Sequence, residues 1–297
     1  MSDDAVVIVN GARTAMGGFQ GSLSAVSAPE LGAASIREAV ARAGLKAEDV
    51  QEVIMGCVLP AGLKQGPARQ AMRLAGLPDS TGATTINKLC GSGMKATMFA
   101  YDSIKAGTND IVVSGGMESM TNAPYILEKA RAGMRMGHGQ VMDHMFLDGL
   151  EDAETGRLMG SFAQEVADKR SITREDMDNY AIESLNRANA AVENGWFKDE
   201  IVPVTVKTRK GEVVVDTDEQ PGNAKIDKIP TLRPAFAKDG TVTAANASSI
   251  SDGGSALVLA RESVANERGL KPLARILAHA TNSKHPSEFT IAPIGAT

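Results

Sequence analysis

The sequence is poor in aromatic residues and in cysteine. Phe, Trp and Tyr make up 4% of the 297 residues, and the two cysteines are Cys57 and Cys90. Two cysteines cannot build a disulfide framework, and in a reducing compartment a cysteine is more often a free thiol. No apolar run reaches the roughly 18 residues of a membrane span, and the acidic amino terminus lacks the basic and apolar regions of a signal peptide. These absences predict a cytoplasmic protein that does not interact with a membrane.

An excess of basic charge is also missing. Lys and Arg number 31 against 36 Asp and Glu, for a formal net charge of -5. Nucleic-acid-binding proteins usually carry a strong positive field, so this charge predicts no nucleic-acid partner. The four histidines stand in "HGQVMDH" and "HATNSKH", and neither pair has the spacing of zinc ligands. The sequence therefore predicts no metal site.

Glycine and alternating strand and helix patterns are plentiful. Short apolar or β-branched runs such as Val53–Cys57 and Thr84–Asn87 predict strands, and "PARQAMRLAG" (Pro67–Gly76) predicts a helix that begins at proline and ends at glycine. This alternation predicts an α/β fold with a largely parallel sheet. It stops near Glu118 and returns at Ser251. We therefore expect another domain to be inserted within the α/β domain.

Two local features are predicted within this inserted segment. Thr173, with Asp176 three residues on, predicts a capped helix start, and Gly195 predicts the end of that helix. The run Ile201–Val215 predicts a hairpin that turns at Lys210-Gly211.

Cys90 stands between a predicted strand and a predicted helix in "TTINKLCGSGMKATMFAYDSIKAG". The N-terminus of a helix favours an anion, and there it would favour the reactive thiolate. Gly91 and Gly93 leave room beside the sulfur, and backbone N–H groups of the turn could donate to an oxyanion. A free cysteine is as readily a small buried hydrophobic residue. From the residues alone, both interpretations stay open.

A phosphate-binding loop is a third interpretation of the same segment. Gly91-x-Gly93-x-x-Ala96 matches part of the dinucleotide-binding pattern, and Glu118 comes somewhat late for the ribose-binding acid. This pattern keeps an NAD(P)-dependent oxidoreductase as an alternative. The small polar run Thr241–Gly254 would let a ligand approach the backbone closely, or would be an ordinary loop.

Four motifs, in order, resemble the thiolase family. They are "NGARTAMGGFQG" (Asn10–Gly21), "NKLCGSGMKA" (Asn87–Ala96), "VSGGMESMTNAPY" (Val113–Tyr125) and "LRPAF…DGTVTAANASSISDGGSA" (Leu232–Ala256). The resemblance runs over nearly the whole chain and is closest to the biosynthetic-type acetyl-CoA acetyltransferases. It implies a thiolase-like layered α/β core of two similar halves, with the first half complete and the second truncated. It also implies an inserted loop domain that binds CoA.

The resemblance sets the predicted domain boundaries. Residues 1–119 form the first part of the N-terminal α/β domain, and residues 250–271 complete it. Residues 120–249 form the inserted CoA-binding loop domain, and residues 272–297 begin a truncated C-terminal α/β domain.

The resemblance also implies an acyltransferase, an acetyl-CoA C-acetyltransferase, with Cys90 as its nucleophile. The thiolate would take the acetyl group from acetyl-CoA and pass it to a second acetyl-CoA, giving acetoacetyl-CoA, or catalyse the reverse reaction, the thiolysis of acetoacetyl-CoA. CoA thioesters are then substrates, and no cofactor is expected. The residues implied to contact CoA are Ser248, Ala247, Ala244, Phe236, Leu150, Met159 and Lys228. Leu158 stands where some family members carry histidine, which leaves the acyl preference open.

Three further family motifs are not found in the sequence. They are an N-E-A-F stretch, a G-H-P stretch whose histidine activates the nucleophile, and a C-x-G-G-G stretch whose cysteine is an acid and base. The 297 residues alone are therefore expected to be inactive, and a companion C-terminal fragment is one expected partner. The alternative is a truncated relative that binds CoA without turnover. The family also implies a homodimer or homotetramer, and the stretch Glu128–His138 resembles its tetramer-contact loop.

Overall fold

A computed structural model describes residues 4–297, so the first three residues of the acidic amino terminus lie outside the described residues. The chain divides into two compact units. The first unit comprises Met1–Pro124, of which the structure describes the residues from Asp4 onward, together with Phe197–Glu219 and Ser251–Ala278. The second unit comprises Tyr125–Trp196, Gln220–Ile250 and His279–Thr297.

The strands and the α-helices, each numbered in chain order, have the following bounds. The strands are β1 (Val6–Thr14), β2 (Gly17–Gly18), β3 (Glu52–Gly56), β4 (Gly82–Ile86), β5 (Ile111–Ser119), β6 (Tyr125–Ile126), β7 (Met142–Asp143), β8 (Ile201–Val202), β9 (Val204–Thr208), β10 (Gly211–Val215), β11 (Ser251–Arg261) and β12 (Ala274–Ile276). The α-helices are α1 (Ala28–Arg42), α2 (Pro67–Leu74), α3 (Ser92–Lys105), α4 (Met159–Lys169), α5 (Arg174–Glu193), α6 (Glu219–Asn223), α7 (Glu262–Glu267) and α8 (Ala292–Ala296). None of the helices in residues 4–297 combines the length and the apolar character that crossing a bilayer requires.

The first unit is organised around a sheet of eight strands. Its order is β12-β1-β11-β5-β3-β4, with β2 beside β11 and β8 beside β1. β3 is parallel to β4 and β5, and helices α2 and α3 provide the crossovers that parallel strands need. β11 is antiparallel to both β5 and β1, and β12 is antiparallel to β1. The α/β class is confirmed, but the prediction of a largely parallel sheet is wrong for the part from β12 to β5.

The position of β11 explains this difference. β5 ends at Ser119, β11 begins at Ser251, and Asp252 pairs with Ser119. The chain therefore leaves the sheet and re-enters it at the same end, so the returning strand runs antiparallel. Strand and helix patterns predict the elements, but they do not reveal the end of the sheet at which a long connection returns.

Helices cover both faces of this sheet. Val53 and Met55 on β3 belong to one buried cluster together with Ile36 of α1, and that cluster also contains side chains of α2. Ile54, between them, belongs to another buried cluster with Ala96 of α3. Successive strand residues thus point to opposite faces, and α3 lies on the face opposite α1 and α2.

The segment Phe197–Glu219 packs with the first unit. β8 is parallel to the end of β1, and the Arg13 guanidinium donates to the carboxylates of Glu200 (2.6 Å) and Asp218 (2.7 Å). The predicted hairpin at Lys210-Gly211 is confirmed as β9 and β10. Residues 120–249 are predicted as one inserted domain, and part of this segment belongs to the first unit. The domain boundaries themselves stay a prediction.

In the second unit, helix α5 begins as its sequence predicts. Thr173 is the N-cap, and its side chain accepts a hydrogen bond from the Asp176 N–H while Asp176 reaches back to the N-cap backbone. This capping box satisfies backbone donors that the first turn leaves unpaired. Arg174, the first residue of α5, donates to the carbonyls of Ile229 (3.1 Å) and Leu232 (2.9 Å) and so holds the 3₁₀ helix Ile226–Thr231 beside α5.

Candidate active site

Cys90 lies in the turn between β4 and α3, and it is exposed. Helix α3 begins at Ser92 with Gly91 as its N-cap, so Cys90 directly precedes the helix, as predicted. The exposed position rules out the interpretation of Cys90 as a buried packing residue. The thiol is open to a substrate, while the N–H groups of Gly91 and Ser92 beside it donate within the turn to the carbonyls of Lys88 (3.1 Å) and Leu89 (3.0 Å).

Hydrogen bonds from two side chains hold the turn before Cys90. Leu89 has a φ of 49°, a left-handed conformation that costs a residue with a β-carbon roughly 1–2 kcal/mol. Asn87 Oδ1 accepts from the Leu89 N–H at 2.8 Å. Ser92 Oγ accepts from the Lys88 N–H at 2.8 Å and donates to the Leu89 carbonyl at 2.6 Å. These bonds keep a strained residue in place next to the thiol, as is common at functional sites.

Glycines let the first turn of α3 lie against the sheet. A β-carbon on Gly56, the last residue of β3, would lie 2.5 Å from the Cβ of Ser92 and 2.8 Å from the backbone nitrogen of Gly93. A β-carbon on Gly93 would in turn lie 3.6 Å from backbone atoms of Gly115 and Gly116 on β5. Gly56, Gly115 and Gly116 had no role among the residues predicted from the sequence. Their only signal in the sequence was glycine near the ends of two predicted strands.

The Glu118 carboxylate accepts hydrogen bonds from backbone N–H groups of the segment after β3. It accepts from the N–H groups of Val58 (2.7 Å) and Leu59 (3.0 Å), and the Cys57 thiol donates to it at 3.6 Å. The Val58 carbonyl in turn accepts from Asn87 Nδ2 at 3.4 Å. These bonds link the end of β5 to the turn before Cys90. They argue against a dinucleotide loop with Glu118 as its ribose-binding acid.

Cys57 differs from Cys90 in its burial. The Cys57 residue is 1% exposed. Burial, with the adjacent Glu118 carboxylate, raises the pKa of the Cys57 thiol to about 12. It is therefore protonated and shielded at neutral pH, and the structure leaves Cys90 as the accessible thiol.

The pKa of Cys57 predicts a loss of stability in alkaline solution. The unfolded thiol loses its proton near its ordinary pKa of 9.0, whereas the folded thiol keeps it up to about pH 12. The unfolded state then binds fewer protons, so the free energy of unfolding falls as pH rises through this window, by about 1 kcal/mol between about pH 8 and about pH 10. Urea unfolding at both pH values should show a smaller fall in the free energy of unfolding for Cys57→Ala than for the native chain. An equal fall in both proteins would show that the Cys57 thiol is not the cause.

In the second unit, a β-bridge brings two of the residues implied to contact CoA to adjoining positions. Glu151 and Leu158 form an isolated antiparallel bridge. Their neighbours Leu150 and Met159 therefore occupy the next positions along it. Leu150 ends a π-helical turn and Met159 opens helix α4.

The ring of Phe236 lies on the first turn of α4. A β-carbon on Gly160 would lie 2.1 Å from the Phe236 Cζ, so only glycine allows this approach. Gly160 directly follows Met159. The structure thus brings together three apolar residues of the implied CoA site, which are Leu150, Met159 and Phe236.

The remaining implied CoA residues lie on two other segments of the second unit. Ala244, Ala247 and Ser248 belong to the loop before β11, where Ala244 and Ser248 are exposed and Ala247 is half-buried. Lys228 lies on the 3₁₀ helix Ile226–Thr231, with its Nζ 3.6 Å from Asp227. Across residues 4–297, no three His, Cys, Asp or Glu side chains gather closely enough to hold a metal ion.

Comparison with known proteins decides the family. The family model described as the thiolase N-terminal domain matches residues 6–263. The chain belongs to the thiolase family. The acetyl-CoA acetyltransferases of Pseudomonas aeruginosa and Escherichia coli K12 are 48% and 49% identical to it, over 98% of the chain and 75% and 74% of their own lengths. A solved structure of the Acat5 thiolase from Ascaris suum in complex with coenzyme A has 40% identity and a TM-score of 0.93, covering 98% of this chain and 75% of that one.

These comparisons confirm the resemblance that the four motifs predicted. They support a thiolase with an α/β core and a substrate of the CoA class. The individual assignments of Cys90 and of the CoA-contacting residues stay predictions.

Proposed function

We propose that this thiolase chain is an acetyl-CoA C-acetyltransferase whose nucleophile is Cys90. Relatives that are 46–49% identical support this activity, and nothing favours a non-catalytic relative. The observation that carries the residue assignment is the place of Cys90, an exposed thiol directly before the first turn of α3. The chain's other cysteine is buried and protonated.

The chemistry follows from this placement. The Cys90 sulfur forms a bond to the thioester carbonyl carbon of acetyl-CoA, and the carbon–sulfur bond to CoA breaks. The CoA thiolate leaves and takes up a proton, and the backbone N–H of Cys90 itself is proposed to donate to the oxyanion. In the second step the α-carbon of another acetyl-CoA loses a proton to a base and attacks the acetyl group. A carbon–carbon bond forms, the bond to Cys90 breaks, and acetoacetyl-CoA is released.

The CoA substrate is proposed to bind along α4 and the loop before β11. Leu150, Met159 and Phe236 provide an apolar surface there, which suits the thioester end of the substrate. Ala244 and Ala247 have small side chains, so the pantetheine arm can approach the backbone beside Ser248. Lys228 is proposed to meet the negatively charged phosphates of the nucleotide end of CoA.

Several wider proposals accompany this assignment. They are a cytoplasmic location, a homodimer or homotetramer, and a companion segment that supplies the base for the second step. Acetylation of Cys90 needs only the first step, but the family histidine that activates the nucleophile is also expected on that segment, so the adduct is measured with the segment present and without it.

Thiolysis of acetoacetyl-CoA by CoA tests the proposed function. With the proposed companion segment present, we expect acetyl-CoA to form in proportion to the protein added, measured by chromatography of the CoA esters. An acetyl adduct on the protein during the reaction would support the covalent route. CoA binding by calorimetry, without any acetyl-CoA formed and without an adduct, would overturn the proposal and favour the non-catalytic alternative.

A further inference from the structure

A buried glutamine joins α4 to the loop that carries the proposed CoA contacts. Gln164 on α4 is 3% exposed. Its Oε1 accepts from the N–H groups of both Thr241 and Val242 at 2.9 Å. Its Nε2 donates to Thr241 Oγ1 at 3.1 Å and to Asp168 Oδ1 at 2.8 Å. This one side-chain amide thus makes four hydrogen bonds, and three of them are to groups of the loop.

The loop continues this network with its own asparagine. Asn246 Oδ1 accepts from the Thr243 N–H at 2.8 Å, and its Nδ2 donates to the Thr241 carbonyl at 3.0 Å and to Asp178 Oδ1 at 3.3 Å. Asp178 is buried on α5, and Arg174 donates to its other oxygen at 2.7 Å. The interior of the loop is therefore hydrogen-bonded to two helices.

The close approach of the loop to Gln164 also depends on a glycine. A β-carbon on Gly240 would lie 2.5 Å from Gln164 Oε1. A side chain at this position would displace the amide from the two N–H groups that it accepts. The hydrogen bonds of Gln164 to the loop therefore require glycine at position 240.

We propose that Gln164 is a positioning residue for the acyl-CoA substrate. Its helix begins at Met159, beneath the ring of Phe236, and its amide holds the loop that presents Ala244 and Ser248. Gln164 therefore fixes the position of the loop relative to the start of α4. This inference rests on the proposed function, because it assumes that both segments contact CoA.

Removing the acceptor should weaken CoA binding. In Gln164→Met a side chain of similar length remains, but the buried N–H of Val242 loses its partner and the loop is free to adopt other conformations. The binding-competent conformation is then a smaller fraction of the protein, and the apparent dissociation constant rises in proportion. We expect a rise of about tenfold for CoA by calorimetry on the full chain.

Two variants separate positioning from general damage. Gln164→Glu keeps the acceptor and is made together with Asp168→Asn, so that the new carboxylate meets an amide and not the Asp168 carboxylate; this variant should bind CoA within about threefold of the native chain. Asp168→Ala removes only an exposed partner of Nε2 and should leave the affinity unchanged. The rate of Cys90 alkylation by iodoacetamide, which needs no CoA, should be the same in all these proteins. If Gln164→Met does not fold, Gly240→Ala displaces the same amide and should weaken CoA binding several-fold.

The outcomes are distinguishable. Native CoA affinity in a folded Gln164→Met would overturn this inference alone, as would equal losses in Gln164→Met and in the Gln164→Glu, Asp168→Asn variant. A parallel fall in Cys90 alkylation would also overturn it, because the change would then reach beyond the loop. Failure of the native chain to bind CoA would overturn the proposed CoA site and this inference together.

Discussion

Replacement of Cys90 by serine is expected to abolish the acetyl adduct that acetyl-CoA forms on the native chain. A serine hydroxyl is a far weaker nucleophile than a thiolate at neutral pH, and loss of a nucleophile typically lowers the rate by a factor on the order of 10^4 or more. Intact-mass measurement after incubation with acetyl-CoA gives the readout. One added acetyl group is expected on the native chain, and none on Cys90→Ser.

Cys57→Ala is the matched control for this experiment. Because the Cys57 thiol is buried and its pKa is raised to about 12, its removal should leave the adduct in place. Peptide mapping should place the acetyl group on the peptide that contains Cys90. An adduct that survives in Cys90→Ser but disappears in Cys57→Ala would contradict the assignment.

Gly56→Ala is expected to lower the free energy of unfolding by about 3 kcal/mol, the upper part of the range for overpacking. The new methyl group would lie 2.5 Å from the Cβ and 2.6 Å from the backbone carbonyl carbon of Ser92. Backbone atoms cannot move aside as a flexible side chain can, so the first turn of α3 must shift away from β3. We therefore also expect a changed rate of Cys90 alkylation. Urea unfolding and iodoacetamide kinetics measure the two effects.

Gly82→Ala, on the neighbouring strand β4, is the control. A β-carbon there would have its nearest contact at 3.5 Å, with the flexible side chain of Glu52. We expect the free energy of unfolding to change by no more than about 0.5 kcal/mol. Equal losses in Gly56→Ala and Gly82→Ala would show that the effect belongs to any glycine of this sheet and not to the contact with α3.

Local features of the fold could be predicted from the sequence because their interactions join residues close in the chain. The capping box of Thr173 and Asp176 spans three residues, and the hairpin at Lys210-Gly211 pairs its immediate neighbours. The position of Cys90 before a helix followed from the same local patterns. The family followed from motif order, which needs no knowledge of contacts at all.

Other features depend on residues that are far apart in the chain, and only the tertiary structure decided them. The antiparallel course of β11 follows from the pairing of Asp252 with Ser119 across the whole intervening segment. The Glu118 carboxylate is occupied by Val58 and Leu59, and no local pattern marks that contact. Gln164 likewise meets Val242 only through folding. Motif and period thus determined family, fold class and nucleophile candidate, whereas the sheet's direction, the burial of Cys57 and the anchoring of the loop came from long-range packing and hydrogen bonding.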